Sequence, residues 1–190
     1  MRTRVQHVSV AAAGFTLIEV VLVVGLVAVL SAITVMMMPG ALLSARADSG
    51  VAQVVSTLRV AREEAIAQRR NVRVAFAAPN RVVVSRVEVP GPGVTVIHET
   101  VLEGGLTFQV YPGVPDTPDA FGNGAAWSFG GAASVAFTSS GEFVDENGDP
   151  VNGTVFIGRE NEAFSARAVS VFGPTALVRE WRWNGTQWTN

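Results

Sequence analysis

Residues 14 to 40 read GFTLIEVVLVVGLVAVLSAITVMMMPG (Gly14–Gly40), and from Phe15 to Met38 one ionisable side chain, Glu19, stands in an otherwise apolar run. As a helix, Phe15 to Met38 would extend roughly 35 Å, enough to cross a hydrocarbon core of about 30 Å. A signal peptide would have a shorter apolar region, ending in small residues ahead of its cleavage site. Here the small residues, Ala11-Ala12-Ala13-Gly14, come before the run. Arg2 and Arg4 lie on that same side, so the positive-inside rule puts residues 1–14 in the cytoplasm and everything after Pro39 across the membrane. A single-pass anchor accounts for all of this except Glu19.

A carboxylate inside a membrane span is costly, so it counts as a functional hypothesis until a partner is found. The apolar run holds no Lys or Arg to pair with it. Glu19 lies one turn in from Phe15, and snorkelling to the interface is the bland alternative. A cut after Gly14 would instead create an amine at Phe15, one helical turn away. That amine could pair with the carboxylate of a neighbouring copy.

The rest of the composition narrows the field. The chain has 190 residues and is 48% hydrophobic, with the apolar excess concentrated before Pro39. The remainder is the size of one small domain with its own core. The formal net charge of −2 offers no basic field for nucleic acid. All 14 basic residues are Arg, and cysteine is absent, which excludes disulfides and thiolate metal sites.

The string G-F-T-L-I-E-V at Gly14–Val20 resembles the N-terminal signature of type IV prepilins and type II secretion pseudopilins. The resemblance implies cleavage by a prepilin peptidase between Gly14 and Phe15, and N-methylation of Phe15. It implies that Glu19 is the assembly glutamate that pairs with the methylated amine of an adjacent subunit. Three alanines precede Gly14, where the family usually carries basic or polar residues.

Pro39-Gly40 predicts a kink or interruption of the helix. Beyond it, Val51, Val54, Val55, Leu58, Ala61, Ala65 and Ile66 follow the rhythm of an amphipathic helix, with Arg59, Arg62, Glu63, Arg69 and Arg70 mostly on other faces. The string LRVAREEAIAQRRNVRVAF (Leu58–Phe76) resembles the GspH/FimT branch of minor pseudopilins and minor pilins. From Asn71 the period changes to two. NVRVAFA and RVVVSRVEV, separated by Pro79-Asn80, read as a hairpin. VTVIHETVL, LTFQVY, SVAFTS, TVFIG, ARAVSVF and ALVREWRW supply further strands. Pairing of VAFTSSGEF with TVFIG also resembles that branch. The spacer Pro112 to Gly131 is long for a loop, and such loops are usually functional or mobile.

The expected fold is therefore α+β, type IV pilin-like. A long N-terminal helix, transmembrane in its first half, packs on an antiparallel β-sandwich-like domain, its segment from about Ala41 to Arg70 lying against one sheet. The expected organisation is a leader over 1–14, a transmembrane and filament-core helix over 15–38, an amphipathic continuation over 39–70 and a periplasmic β-rich domain over 71–190.

Chemistry is sparse. His98, between Ile97 and Glu99, reads as a strand residue without a nucleophile or orienting partner. Asp145-Glu146-Asn147-Gly148-Asp149 has oxygen ligands but lacks the closing bidentate acid of a calcium loop, so it reads as a turn. Asn152-Gly153-Thr154 and Asn184-Gly185-Thr186 fit the glycosylation sequon, yet both contain the Asn-Gly preferred in hairpins. No catalytic residue, cofactor or metal ligand is nominated, and a membrane-anchored periplasmic enzyme lacks its constellation.

VREWRWNGTQW (Val178–Trp188) is harder to set aside. Strand alternation puts Arg179, Trp181 and Trp183 on one face, and Glu180 and Arg182 on the other. Arginines contact phosphates and aromatics stack on bases, so an exposed hairpin of this kind could grip DNA. Alternatively the tryptophans cap the sandwich core or pack against the helix stripe. The resemblance bears on this too, because some FimT-like pilins bind DNA through a C-terminal Gly-Arg step. Here that segment reads Gly173-Pro174-Thr175-Ala176-Leu177.

The resemblance implies a minor pseudopilin or minor pilin of a type II secretion pseudopilus or a type IV pilus, near the filament tip and anchored in the bacterial inner membrane. Its partners would be other pilins or pseudopilins, the prepilin peptidase and the inner-membrane assembly platform. The alternative is a DNA-binding minor pilin acting in natural transformation, with Arg179, Arg182, Trp181 and Trp183 as contacts.

Overall fold

The computed structural model describes residues 14–91 and 93–190, apart from the side chains of residues 36–39. The expected leader residues Arg2, Arg4 and Ala11 to Ala13 lie outside the described residues. The chain divides at Ala41/Leu42 into two units.

Helix α1 spans Leu17–Gln68. Thr16 starts it: its carbonyl accepts the amides of Glu19 at 3.1 Å and Val20 at 3.2 Å, and its Oγ1 accepts the Glu19 amide at 3.3 Å. The Val20 bond opens the regular ladder, and the Glu19 amide, otherwise an orphan donor of the first turn, is satisfied by Thr16. Within the first unit, Leu17–Val35 has a mean hydropathy of 2.7 and none of it is buried. Its length, about 28 Å at the helical rise, matches a hydrocarbon core. The expected interruption at Pro39-Gly40 does not occur, and α1 is helical through both residues. A proline forfeits its own donor and crowds the carbonyl four residues earlier, a local cost that the 52-residue helix carries without breaking.

In the second unit α1 turns amphipathic. Ala47, Val51, Val54, Val55, Leu58, Ala61 and Ala65 are buried, but Ile66, expected in the same stripe, is 46% exposed. One residue beyond Ala65, it is rotated about 100° away from the core direction. The helix closes with Arg69 in the left-handed region at φ 51°, the Arg69 amide donating to Ile66 O at 3.3 Å and the Arg70 amide to Ala65 O at 3.1 Å. That is the Schellman arrangement, here without glycine.

Eleven short strands follow among the described residues: β1 (Val72–Ala77), β2 (Arg81–Val87), β3 (Val94–Val101), β4 (Leu106–Phe108), β5 (Trp127–Ser128), β6 (Val135–Phe137), β7 (Phe143–Val144), β8 (Gly153–Arg159), β9 (Glu162–Phe172), β10 (Leu177–Trp183) and β11 (Trp188–Thr189). One antiparallel sheet has the order β3-β2-β1-β6-β7, and the other has β11-β10-β9-β8-β4 with β5 beside β8. The Pro79-Asn80 hairpin forms as expected, with Ala77 opposite Arg81. VAFTSSGEF and TVFIG do not pair: β6 and β7 join each other in the first sheet, and β8 belongs to the second. Nor is α1 confined to one sheet. Thr57 bonds Thr100 of β3 at 2.7 Å, while Asp48 pairs with Arg167 of β9. One buried cluster accordingly joins the helix stripe to Val72, Val74 and Val82 of the first sheet and Val155, Ile157 and Val169 of the second.

Arg167 is 2% exposed. Its Nε donates to Asp48 Oδ1 at 2.6 Å, Nη1 to the carbonyls of Phe164 at 3.1 Å and Ala166 at 3.0 Å, and Nη2 to Ser44 Oγ at 3.0 Å. Arg182 stands directly opposite on β10, donates to the same Ser44 at 2.9 Å and lies 4.0 Å from Asp48. Two like charges on adjacent strands are thus bridged by one helix carboxylate. Asp48→Ala should cost about 2 kcal/mol, less than a fully buried pair because Asp48 is half open to water. Adding Arg167→Met should recover part of that loss, since an apolar replacement needs no counter-charge. Thermal unfolding of the full chain in detergent micelles reads both variants, and a double variant weaker than the single one contradicts the bridge.

Candidate functional site at the helix start and the C-terminal hairpin

The chain enters α1 through Gly14, whose Cα has open space around it, and Phe15, which is 81% exposed. Glu19 is the third helical residue and is exposed. Thr16 and Glu19 therefore have the Thr-x-x-Glu spacing of a capping box, and the helix dipole favours a negative side chain at this position. Sequence reasoning framed Glu19 as a carboxylate misplaced in a span and overlooked this local signal. One half of such a box is present, the Glu19 amide donating to Thr16 Oγ1.

At the other end, β10 and β11 form a hairpin with Trp183 opposite Trp188. Asn184 Oδ1 accepts the amides of Thr186 and Gln187, both at 2.9 Å, and Gly185 takes φ 102°. The expected Asn184-Gly185 turn is present. Asn152-Gly153 is not a hairpin turn: Gly153 begins β8, where a Cβ would come within 2.6 Å of Ser128 O. Glycine is required there because β5 crosses too closely.

The alternation along β10 is as expected, but what the faces meet is not. Arg179, Trp181 and Trp183 face outward, while Arg182 turns inward to Ser44 and Asp48 of α1. Trp183 and Trp188 are buried with Phe156, Ala166 and Ala168 in a second cluster, neither capping the main core nor touching the helix stripe. Their ring centroids lie 5.5 Å apart at 62°. What covers them is the Pro112 to Gly131 spacer. Trp188 Nε1 donates to Pro115 O at 2.8 Å, and Arg179 pairs with Asp119 at 2.7 Å. Asp119 also accepts from Ser170 Oγ, which in turn accepts Trp181 Nε1 at 3.0 Å. Asp116 closes the strap on itself by accepting the amides of Thr117 at 2.7 Å and Gly122 at 2.8 Å. The first half of the spacer, residues 112–122, is thus a strap across the outer face of the second sheet, and its end joins that sheet as β5. Its Gly, Pro and Asp content reads as loop because its anchors sit about 50 to 75 residues further along the chain.

A cavity of about 380 Å³ opens beside the strap, lined by Tyr111, Val114, Pro115, Phe156 and Trp188. Burial pushes the Tyr111 phenol up; its hydroxyl donates to Arg159 O at 2.6 Å. The polar atoms here bond one another rather than aim at a ligand. His98 is exposed on β3, with Nε2 3.1 Å from Thr100 Oγ1. Asp145 accepts the amides of Asn147 at 2.8 Å and Asp149 at 2.9 Å, and the Asp149 amide leads the contacts that hold its carboxyl below the usual range. Its oxygens are spent on the turn. Among the described residues no group of three metal-ligating side chains converges.

Trp188→Ala should cost about 3–5 kcal/mol, because it empties the second cluster and unties the strap. Arg182→Ala, at an exposed side chain, should cost about 1 kcal/mol or less. Urea unfolding of the full chain in micelles separates them; a wild-type midpoint for Trp188→Ala would mean the strap is anchored elsewhere.

The family model described as Type II transport protein GspH matches residues 51–175. No curated protein matches the sequence. Among solved structures, the minor pseudopilin EpsH from the type 2 secretion system of Vibrio cholerae aligns at 16% identity and a TM-score of 0.49, covering 72% of this chain and 97% of that one. The type IV minor pilin FimU of Pseudomonas aeruginosa aligns at 16% identity and a TM-score of 0.46, covering 78% of this chain and 92% of that one.

Proposed function

The chain belongs to the GspH family of type II transport proteins, and from that membership we propose that it is a structural minor pseudopilin or minor pilin, cut and N-methylated by a prepilin peptidase and built into a filament near its tip. The observation that carries this reading is the helix start. Glu19 sits one turn from Phe15, at the head of an apolar helix that buries nothing within the chain. In this reading Leu17–Val35 anchors the precursor in the inner membrane, with the domain that follows in the periplasm. Peptidase cleavage frees the amine of Phe15, and the open backbone around Gly14 leaves room for that cut. The methylated amine then pairs with Glu19 of a neighbouring subunit. In a low-dielectric filament core such a pair holds two helices in one register, because a one-residue slip leaves both charges unpaired. The assembly platform and the other pilin-like subunits are the partners. The family's role is structural, and no catalytic group is assigned.

Glu19→Ala should still insert and be processed, yet fail to join the filament complex. Co-purification from membranes reads this, and wild-type incorporation would remove Glu19 from assembly. Gly14→Asp should leave the precursor uncut, whereas a mature mass for that variant would place the cut elsewhere.

Within the same reading the C-terminal hairpin is packing, with Arg179 and Arg182 committed to Asp119 and to α1. Titrating the full chain in micelles against single- and double-stranded DNA at two salt concentrations should show no binding that Arg179→Ala/Arg182→Ala removes. Salt-sensitive binding lost in that variant would instead favour a DNA-uptake pilin.

A further inference from the structure

Six arginines stand in ion pairs: Arg70, Arg81, Arg86, Arg167, Arg179 and Arg182. Of those outside any pair among the described residues, Arg59 and Arg62 are neighbours, three residues apart on one side of α1. They flank a groove of about 330 Å³ between α1 and the start of β10, with Leu58, Phe137, Ala176 and Leu177 in its lining. Leu177 is half exposed, and Ile66, one turn beyond Arg62, is exposed as well. Apolar surface and unpaired positive charge therefore meet at one place.

Arg62 is held ready. Its Nε donates to Gly141 O at 3.0 Å, in a turn where Gly141 takes φ 85°. A Cβ on Gly141 would come within 2.9 Å of Ile66 Cδ1 and 3.0 Å of Arg62 Nε, so glycine lets the turn close against both. A guanidinium anchored through Nε keeps its terminal nitrogens for a second partner and loses little further freedom on binding. The nearby acids do not fill that role: Glu142 accepts from Ser140 Oγ, and Glu63 is in no ion pair.

We propose that this groove docks an acidic segment of a neighbouring pilin-like subunit, with one large apolar side chain in the groove and carboxylates on Arg59 and Arg62. The proposal rests on the assembly reading above. Carboxylates pair with arginine through two parallel hydrogen bonds, and desolvated arginine beside an apolar pocket is a common interface anchor. A nucleic acid could offer phosphates to the arginines, but its backbone has no apolar group for the groove between them.

The test uses the full chain. Leu177→Cys, in a sequence without other cysteine, carries a benzophenone probe on protein purified in detergent micelles and mixed with its co-expressed pilin-like subunits. The expected cross-link falls on a peptide of one subunit that holds at least two acidic residues. Its yield should drop about tenfold in Arg59→Glu/Arg62→Glu and return when the mapped acids are changed to lysine. Thermal unfolding checks that the double variant is folded, and Arg59→Gln, at an exposed position, serves if it is not. An unchanged yield in the folded variants, a cross-linked peptide without acids, or loss of the cross-link on nuclease treatment overturns the proposal. If wild type co-purifies with those subunits while its cross-link ignores the arginines, only the groove falls. If wild type co-purifies with none of them, the assembly reading itself falls.

Discussion

The buried guanidinium of Arg167 constrains the domain more than any single apolar contact. A charge with almost no access to water must find its partners within the protein. Here they come from three places: its own strand, Ser44 and Asp48. The helix from Leu42 onward is therefore held against the second sheet at one end of its buried stripe, and Thr57 bonded to Thr100 holds it to the first. The stripe from Ala47 to Ala65 then fills the space between. Apolar packing supplies most of the stabilisation but tolerates sliding, whereas the ion pair fixes the register.

That constraint divides the labour of β10. Its inward side is committed to α1 through Arg182, and its outward side is free for the strap. Each tryptophan brings a large apolar ring and one N–H that needs an acceptor. Pro115 O in the strap accepts from Trp188 and Ser170 Oγ on β9 accepts from Trp181, so aromatics that look like a stacking platform in sequence instead bond within the same chain. The rings seal a second cluster on the far side of the sheet, which lets a twenty-residue segment of Gly, Pro and Asp hold one course without a helix or long strand.

Capping and assembly do not compete at the helix start. Thr16 settles where the helix begins by accepting the Glu19 amide, and in the proposed filament the Glu19 carboxylate settles which neighbour the helix accepts. A helix with apolar side chains all round has no intrinsic preference for a rotation or axial position beside another such helix, so one charge close to its start can decide both.

How much of this was legible differed from element to element. The apolar run, the motif around Gly14, Phe15 and Glu19, the stripe from Val51 to Ala65 and the Pro79-Asn80 hairpin are local patterns, repeating every 3.6 or two residues or lying within one turn, and such patterns can be read from the chain itself. The two-residue strands β5, β7 and β11 are too short to show any period. Arg179 finding Asp119, Trp188 finding Pro115 and Arg167 finding Asp48 depend on segments some 60 to 120 residues apart. Sequence alone thus determined the fold class and the helix, because those follow from local periodicity and hydropathy, while Gly14, Phe15 and Glu19 were nominated through a motif resemblance. Tertiary structure alone decided that Trp183 and Trp188 of the hairpin are buried beneath a strap while Arg179 and Arg182 stay partly open to solvent in ion pairs, because the partner of a buried polar group is chosen by the fold that surrounds it.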